Sequence, residues 1–402
     1  MKNMMSLLAA MLLVAAGEGS LVAGETTAPR AKYCLFVTVD ALDRDYVARN
    51  AAPNISQWEK QGAVFPDALN VFPTLTTPNM TSLVTGAFPC TTTIGANKVY
   101  VREENRIVGG PRFNKAVTIA EAFKSRGLST AAVQHFMLEK RGTDEYARTE
   151  KGGSAEITSL ALAMLADGTT PTRLLAVLYQ SVDTVGHKRG AESAEALAET
   201  RSVDAEIAKL VKRYEELGIL GETIVVISSD HGMSHRNKQI DLANLTRKVT
   251  EGGWKHEIIT SNNPPTTGTD FFIIQGGNLN CYFNRAFSAE ERERLFAALR
   301  CVEGVGNVYH GEALRRLRTH PNAGDFIVEP APGWWFGGEM GVHGRNTESD
   351  GYEMMFGPGI RKGASVQGAF TVDLVPTVLH LMDIPIPHTV DGKVLWQAVE
   401  TP

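Results

Sequence analysis

The sequence predicts an α/β sandwich with a mostly parallel central sheet flanked by helices, and three observations predict it. First, Cys34-Leu-Phe-Val-Thr-Val-Asp40, Leu174 to Tyr179 and Thr223 to Ser228 are continuous apolar runs without one-sided alternation. Strands of that kind are buried on both faces, as parallel sheets require. Second, helical patterns lie between them, at Val117 to Arg126, at Ala155 to Ala166 and from about Arg189 to Leu217. Strands alternating with helices signal parallel crossovers. Third, Asp40, Asp183 and Asp230 stand at or just beyond the ends of those strands, where ligands gather in such sheets.

The elements follow in chain order. Lys2 and the apolar stretch Met4 to Ala16, with small residues at Val22, Ala23 and Gly24, read as a secretory signal over residues 1–24, the stretch being too short to span a bilayer. No later segment is long and apolar enough to do so. Export makes the protein periplasmic or secreted and permits disulfides. Among Cys34, Cys90, Cys281 and Cys301, the favoured pair is Cys281–Cys301, which flanks one strand-to-helix unit, with free buried thiols as the equal alternative. Residues 25–238 form the first part of the core. Residues 239–324 form an inserted α+β cap: turn-rich Asn262 to Gly268, a hairpin of Phe271 to Ile274 and Asn280 to Phe283 bending at Gly276-Gly277, and a helix from Ser288 to Arg300. The chain then returns to the core through Phe326 to Glu329, a Gly-rich loop to Arg345 and a closing helix Val372 to Met382, completing residues 325–402.

Composition narrows the function. The 402 residues are 43% hydrophobic and 21% charged, an ordinary globular balance. The net charge of -5 offers no electrostatic footprint for tight binding to nucleic acid or an anionic membrane. Oligomeric state is not encoded in these features.

Three segments carry metal-ligand chemistry: Asp183-Thr-Val-Gly-His187, Ser229-Asp230-His231-Gly232-Met233 and Gly341-Val-His343-Gly344. Asp40 is a fourth candidate. Carboxylate oxygen with neutral imidazole nitrogen suits Zn²⁺, and a set too large for one tetrahedron implies two ions. Singly, each residue reads as a cap or a surface group; their clustering at strand ends argues for a site. The nucleophile candidate lies in Phe72-Pro-Thr-Leu-Thr76-Thr77-Pro78-Asn79-Met-Thr-Ser-Leu-Val-Thr85-Gly86. A hydroxyl at a helix start sits where backbone donors and the dipole stabilise an incoming anion. By itself, the segment reads more readily as one in which Thr76 or Thr77 merely N-caps the helix.

Together these motifs resemble the alkaline phosphatase superfamily, in its nucleotide pyrophosphatase/phosphodiesterase (type I phosphodiesterase) branch, in order from Val39-Asp40 to Val390-Asp391-Gly392. Pro73-Thr-Leu-Thr76-Thr-Pro78-Asn79 with Thr85-Gly86 is similar to the nucleophile segment, Gly95-Ala-Asn97 to the segment supplying an asparagine for the phosphoryl oxygens, and the three Asp/His segments to the metal motifs. The resemblance implies an alkaline-phosphatase-like sandwich and two Zn²⁺ ions, one on Asp183, His187 and His343, the other on Asp40, Asp230, His231 and Thr76. It further implies attack by Thr76 on phosphorus, steadied by Asn97, and hydrolysis of the resulting phosphothreonine in a small-molecule phosphodiester, phosphoanhydride or nucleotide substrate. Where relatives carry Phe after the nucleophile this chain has Thr77; Met80 stands in place of a common His, and Cys90-Thr-Thr-Thr93 in place of Pro-Glu-Ser-His-Gly. These departures leave the ligands intact and the substrate open.

A sulfatase needs Cys or Ser where Thr76 stands, which excludes that reading. A phosphomonoesterase needs an Arg-like clamp; none is assignable, although Lys98 and Arg102 lie near Asn97. The alternatives are a phosphonate hydrolase of the phosphonoacetate type, for which Lys98 speaks, and a catalytically silent binding relative. Tyr100, Trp254, Trp334 and Trp335 are candidates to stack a base, against the commoner role of packing. His256, His310 and His320 in the insertion read as packing or surface residues.

Overall fold

The structure, a computed structural model, describes residues 31–401 apart from 167, 169, 261 and 347–349; the expected signal peptide at 1–24 lies outside the described residues. The three apolar runs form strands Tyr33–Val39, Leu174–Tyr179 and Thr223–Ser228. Tyr33–Val39 sits centrally in an eight-stranded sheet, parallel to Leu174–Tyr179 on one side and to Thr223–Ser228 on the other. From edge to edge the order is Ala364–Ser365, Gly62–Val64, Met354–Phe356, Thr223–Ser228, Tyr33–Val39, Leu174–Tyr179, Thr130–Val133 and Glu145–Ala147. Met354–Phe356 runs antiparallel to both neighbours, and the other pairs are parallel. The sheet is thus mostly parallel, as its unbroken apolar strands require.

Alternate side chains of the central strand enter two separate cores. Phe36 packs with Met80, Leu83, Phe123 and Val375 on one face. Leu35, Val37 and Val39 pack with Val177, Ile207, Leu210 and Tyr214 on the other. Burial on both faces leaves the carboxyl ends of these strands as the place for polar residues. Among the described residues, no helix is long and apolar enough to cross a membrane.

The helix expected from about Arg189 to Leu217 forms as Ala194–Glu216, and a second helix that the sequence reading does not contain, Ser181–Arg189, precedes it. Gly190 breaks them at φ +96°, and the Ser193 side chain caps the second by accepting from Ala196 N. The shorter helix buries only Val182 and Gly186, so it carries no apolar stripe by which to be read. It matters because it puts Asp183 and His187 one turn apart on the same face.

The inserted hairpin forms as Phe271–Gln275 and Leu279–Phe283, within a second sheet ordered His256–Ile259, Phe271–Gln275, Leu279–Phe283, Phe326–Pro330 and Val305–His310. Phe326–Pro330 therefore does not lead back into the main sheet, as the sequence suggests; it pairs antiparallel with Leu279–Phe283 and Val305–His310. Its apolar side chains decide this, since Phe326 and Val328 complete a core with Phe271, Ile273, Leu295 and Phe296. All four cysteines are free. The favoured Cys281–Cys301 pair does not form because Cys281 points into that core while Cys301 is exposed at the end of helix Ala289–Arg300.

Candidate functional site

Four segments converge at the carboxyl edge of the main sheet. Asp40 follows the central strand directly, and Asp230-His231 follow Thr223–Ser228 after one residue. Asp183 and His187 come from helix Ser181–Arg189. His343 follows the short strand Gly341–Val342, which pairs with Ser234–His235. That pairing presses the loop onto the helix so closely that a Cβ on Gly341 would lie 2.3 Å from the Gly186 carbonyl oxygen. Only glycine permits this approach, and it sets His343 Nε2 at 3.3 Å from His187 Nε2.

The three imidazoles are oriented by main-chain carbonyls. His187 Nδ1 lies 2.8 Å from Gly341 O, His231 Nδ1 2.9 Å from Gly232 O, and His343 Nδ1 2.8 Å from Thr74 O. A carbonyl only accepts, so each Nδ1 carries the proton and each neutral ring offers its Nε2 lone pair to the site. Those Nε2 atoms meet carboxylates: His187 Nε2 lies 3.2 Å from Asp183 Oδ1, and His231 Nε2 lies 3.1 Å from Asp230 Oδ2 and 3.4 Å from Asp40 Oδ1.

The carboxylates are the anomaly. Asp40 Oδ1, Asp183 Oδ1 and Asp230 Oδ2 are buried without a hydrogen-bond partner. Burial, and then the charges of Asp230 and Asp183, push Asp40 well above the usual carboxylate range. Burial and the Asp183 charge do the same to Asp230. Asp183 goes the other way: against its burial, the adjoining imidazoles of His187 and His343 hold it at about 2. Buried acids this close need a cation. Oxygen and imidazole donors in this ratio fit Zn²⁺. Among the described residues, two sets have ligand atoms mutually within 4.8 Å: Asp183, His187 and His343, and Asp40, Asp183 and His231. Asp183 belongs to both, which the spacing of its motif does not foretell.

Thr76 is the first residue of the ten-residue helix Thr76–Thr85, whose N-cap is Leu75 with no side-chain cap. Neither Thr76 nor Thr77 caps the helix, so the Thr76 hydroxyl has no structural duty there. Its Oγ1 lies 3.4 Å from His231 Nε2. The loop before the helix is built by Asn79, fully buried, whose Nδ2 donates to Val71 O, Pro73 O and Leu75 O while Oδ1 accepts from Val71 N. Thr74 ties this loop to the His343 segment, donating to Arg345 O and accepting from Gly344 N. Asn97 reaches the same helix end, where its Oδ1 accepts from Thr77 N at 2.8 Å.

All eight candidate residues thus stand around one recess: Asp40, Thr76, Asn97, Asp183, His187, Asp230, His231 and His343. The positioning roles of Thr74 and Asn79 were not read from sequence, although the place of Asn79 one helical turn after Thr76 is the signal for the second. Also missed were Thr260, Gln275 and Glu339, which with Trp335 line a cavity beside His187 and His343. The other aromatics pack: Tyr100 against Phe272 and Tyr282, Trp254 in the core of the second sheet, and Trp334 under Lys238. His256 stacks on Phe271, His310 on Phe296, and His320 accepts from Asn322 N.

Residues 34–353 match the family described as type I phosphodiesterase / nucleotide pyrophosphatase. The mouse bis(5'-adenosyl)-triphosphatase is 24% identical, the match covering 92% of this chain and 80% of that protein. The human ectonucleotide pyrophosphatase/phosphodiesterase family member 5 is 21% identical over 90% of this chain and 76% of its own. A solved structure of the human member 5 superposes with a TM-score of 0.74 at 20% identity, covering 92% of this chain and 100% of that one. An inactive variant of the murine member 5, in complex with AMP, does so with a TM-score of 0.73 at 19% identity, covering 91% and 98%.

Proposed function

Because the chain belongs to the type I phosphodiesterase/nucleotide pyrophosphatase family, we propose that it hydrolyses phosphodiester or phosphoanhydride bonds in small nucleotide-like substrates, with Thr76 as covalent nucleophile and two Zn²⁺ ions as cofactors. The observation that carries the reading is the meeting of three imidazole Nε2 atoms and three unpartnered carboxylate oxygens beside a helix-terminal hydroxyl. Asp183, His187 and His343 would hold one ion, and Asp40, Asp230, His231 and the Thr76 oxygen the other. When bound, such ions supply Lewis acidity to the phosphoryl oxygens and make the hydroxyl more acidic.

The chain's own residues do the rest. Thr76 Oγ1 attacks phosphorus; the Oγ1–P bond forms, the bond to the leaving oxygen breaks, and the hydroxyl proton passes to solvent. Asn97 has committed Oδ1 to Thr77 N, so it presents Nδ2 to the equatorial oxygens, where negative charge grows in the transition state. Water then forms a new P–O bond, releases the phosphate ester and restores the Thr76 hydroxyl. The AMP bound by the murine neighbour and the dinucleotide named for the mouse relative support a nucleotide as substrate. The apolar leader supports export.

The test is release of nitrophenolate from the nitrophenyl ester of a 5'-nucleotide, which chelation should abolish and zinc restore. A quenched reaction should yield a nucleotidylated peptide carrying Thr76. Turnover indifferent to chelation would sink the reading. A second reading, phosphonate hydrolysis, draws on Lys98 lining the cavity; inorganic phosphate and acetate released from phosphonoacetate would select it.

A further inference from the structure

The cavity beside His187 and His343 has a volume of about 440 Å³ and walls from three stretches of chain: Asn97-Lys98, the hairpin bend with Thr260, and the loop from Trp335 to Glu339. It holds one cation and one anion, each pinned to a wall. Lys98 Nζ donates to Thr260 O at 2.9 Å, and Glu339 Oε2 accepts from Trp335 Nε1 at 3.2 Å. Each bond uses part of its group's capacity: the ammonium keeps further N–H donors and Glu339 keeps Oε1. Gln275 donates Nε2 to Phe336 O at 3.2 Å, which leaves its Oε1 as an acceptor.

The room itself depends on two glycines. A Cβ on Gly277 would lie 2.5 Å from His343 O and 3.1 Å from the Trp335 ring, and one on Gly337 would lie 2.2 Å from Glu339 Oε2.

Placement fixes the role. Thr76 Oγ1 lies against His231, while the cavity lies against His187 and His343, the set that Thr76 does not touch. In-line displacement at phosphorus puts the leaving oxygen opposite the nucleophile, toward that second set.

We propose that this cavity is the leaving-group subsite, in which Lys98 binds a second phosphoryl group and Glu339, with Gln275, binds the hydroxyls or amine of the nucleoside or sugar that the phosphoryl group carries. The inference rests on the reading of Thr76 as nucleophile. Breaking a P–O–P bridge leaves the electron pair on an oxygen that is already part of a phosphate. Such a leaving group needs charge neutralisation more than a proton, and Lys98 supplies the charge. Glu339 has the opposite effect on a bare anion: it repels a leaving pyrophosphate and rewards one that brings donors, as carboxylates do with ribose hydroxyls.

Three substrates that transfer the same nucleotidyl group separate these roles: a nitrophenyl ester, a nucleoside triphosphate that releases pyrophosphate, and a dinucleoside triphosphate. For Lys98→Met, the loss in kcat/KM on the dinucleoside triphosphate should exceed the loss on the aryl ester by tenfold or more, and Lys98→Arg should recover most of it. For Glu339→Gln, kcat/KM should fall severalfold on the dinucleoside triphosphate and rise on the nucleoside triphosphate. Equal losses on all three substrates, or a Glu339→Gln variant without this opposition of sign, overturn the subsite and leave the hydrolase reading intact. A zinc-loaded wild type that turns over none of the three overturns the hydrolase reading itself.

Discussion

Thr77 donates its main-chain N–H to Asn97 Oδ1 at 2.8 Å, and this one bond orients the amide proposed to meet the phosphoryl oxygens. Asn97→Ala should lower kcat/KM by about 10²–10³, the usual cost of one oxyanion donor. Asn97→Asp keeps the acceptor for Thr77 but sets a carboxylate against the substrate, so it should fall at least as far. Steady-state kinetics with a melting curve for each variant measures this; a loss under tenfold in both contradicts the assignment.

Thr76→Ala should keep its metal, because the protein ligands remain, yet lose orders of magnitude in rate for want of a nucleophile. Thr76→Ser should retain part of the activity. Thr77→Ala should behave as wild type, since Thr77 contributes its main-chain N–H to Asn97. An inactive Thr77→Ala beside an active Thr76→Ala would move the nucleophile by one residue.

Gly341→Ala changes no ligand, yet it forces His343 away from His187 by driving a methyl group into the Gly186 carbonyl. Zinc stoichiometry by elemental analysis should fall toward that of His343→Ala. Full zinc content in Gly341→Ala would mean that the loop adjusts without moving the ligand.

Removing metal leaves three buried carboxylates facing one another. Zinc at a hundredfold excess over its dissociation constant should therefore stabilise the fold by about 2.7 kcal/mol per site, seen as a raised Tm. Asp230→Asn should raise the Tm of the metal-free protein and shrink the gain from zinc. A lowered metal-free Tm would show that the crowding of these acids is already relieved within the chain.

Burial pushes the His135 imidazole down to about 4 from its ordinary 6.5, and neither ring nitrogen has a hydrogen-bond partner. The unfolded chain then takes up a proton at His135 that the folded one refuses. Stability is complete above about pH 6.5 and is lost as pH falls toward 4, by about 3 kcal/mol in all. The loss of stability between pH 7 and 4.5, by denaturant unfolding, should be smaller in His135→Leu than in wild type. Equal slopes would contradict this account.

Much of the architecture was legible because it is written locally. Strands buried on both faces carry no polar residue until they end, so Asp40 and Asp230 announced both strand end and site. Helix Ser181–Arg189 was not legible, because Asp183 and His187 face the site and strip it of an apolar stripe. The sheet chosen by Phe326–Pro330 was equally hidden: its apolar run suits either sheet, and the choice belongs to Phe271 and Phe296, far away in sequence. Glu339 escaped notice because a lone acid in a glycine-rich loop looks like solvent-facing filler; only the approach of Trp335 gives it a place.

The position of Tyr33–Val39 at the middle of the sheet has a consequence for synthesis. This strand leaves the ribosome well before its hydrogen-bonding neighbours, residues 174–179 and 223–228. Until those emerge, a strand with apolar side chains on both faces and both edges unpaired has nothing native to join, and contacts so distant in sequence form slowly. The nascent chain must be shielded or kept extended over that interval. Slower elongation before residue 174 should therefore promote aggregation, and slower elongation after residue 228 should not.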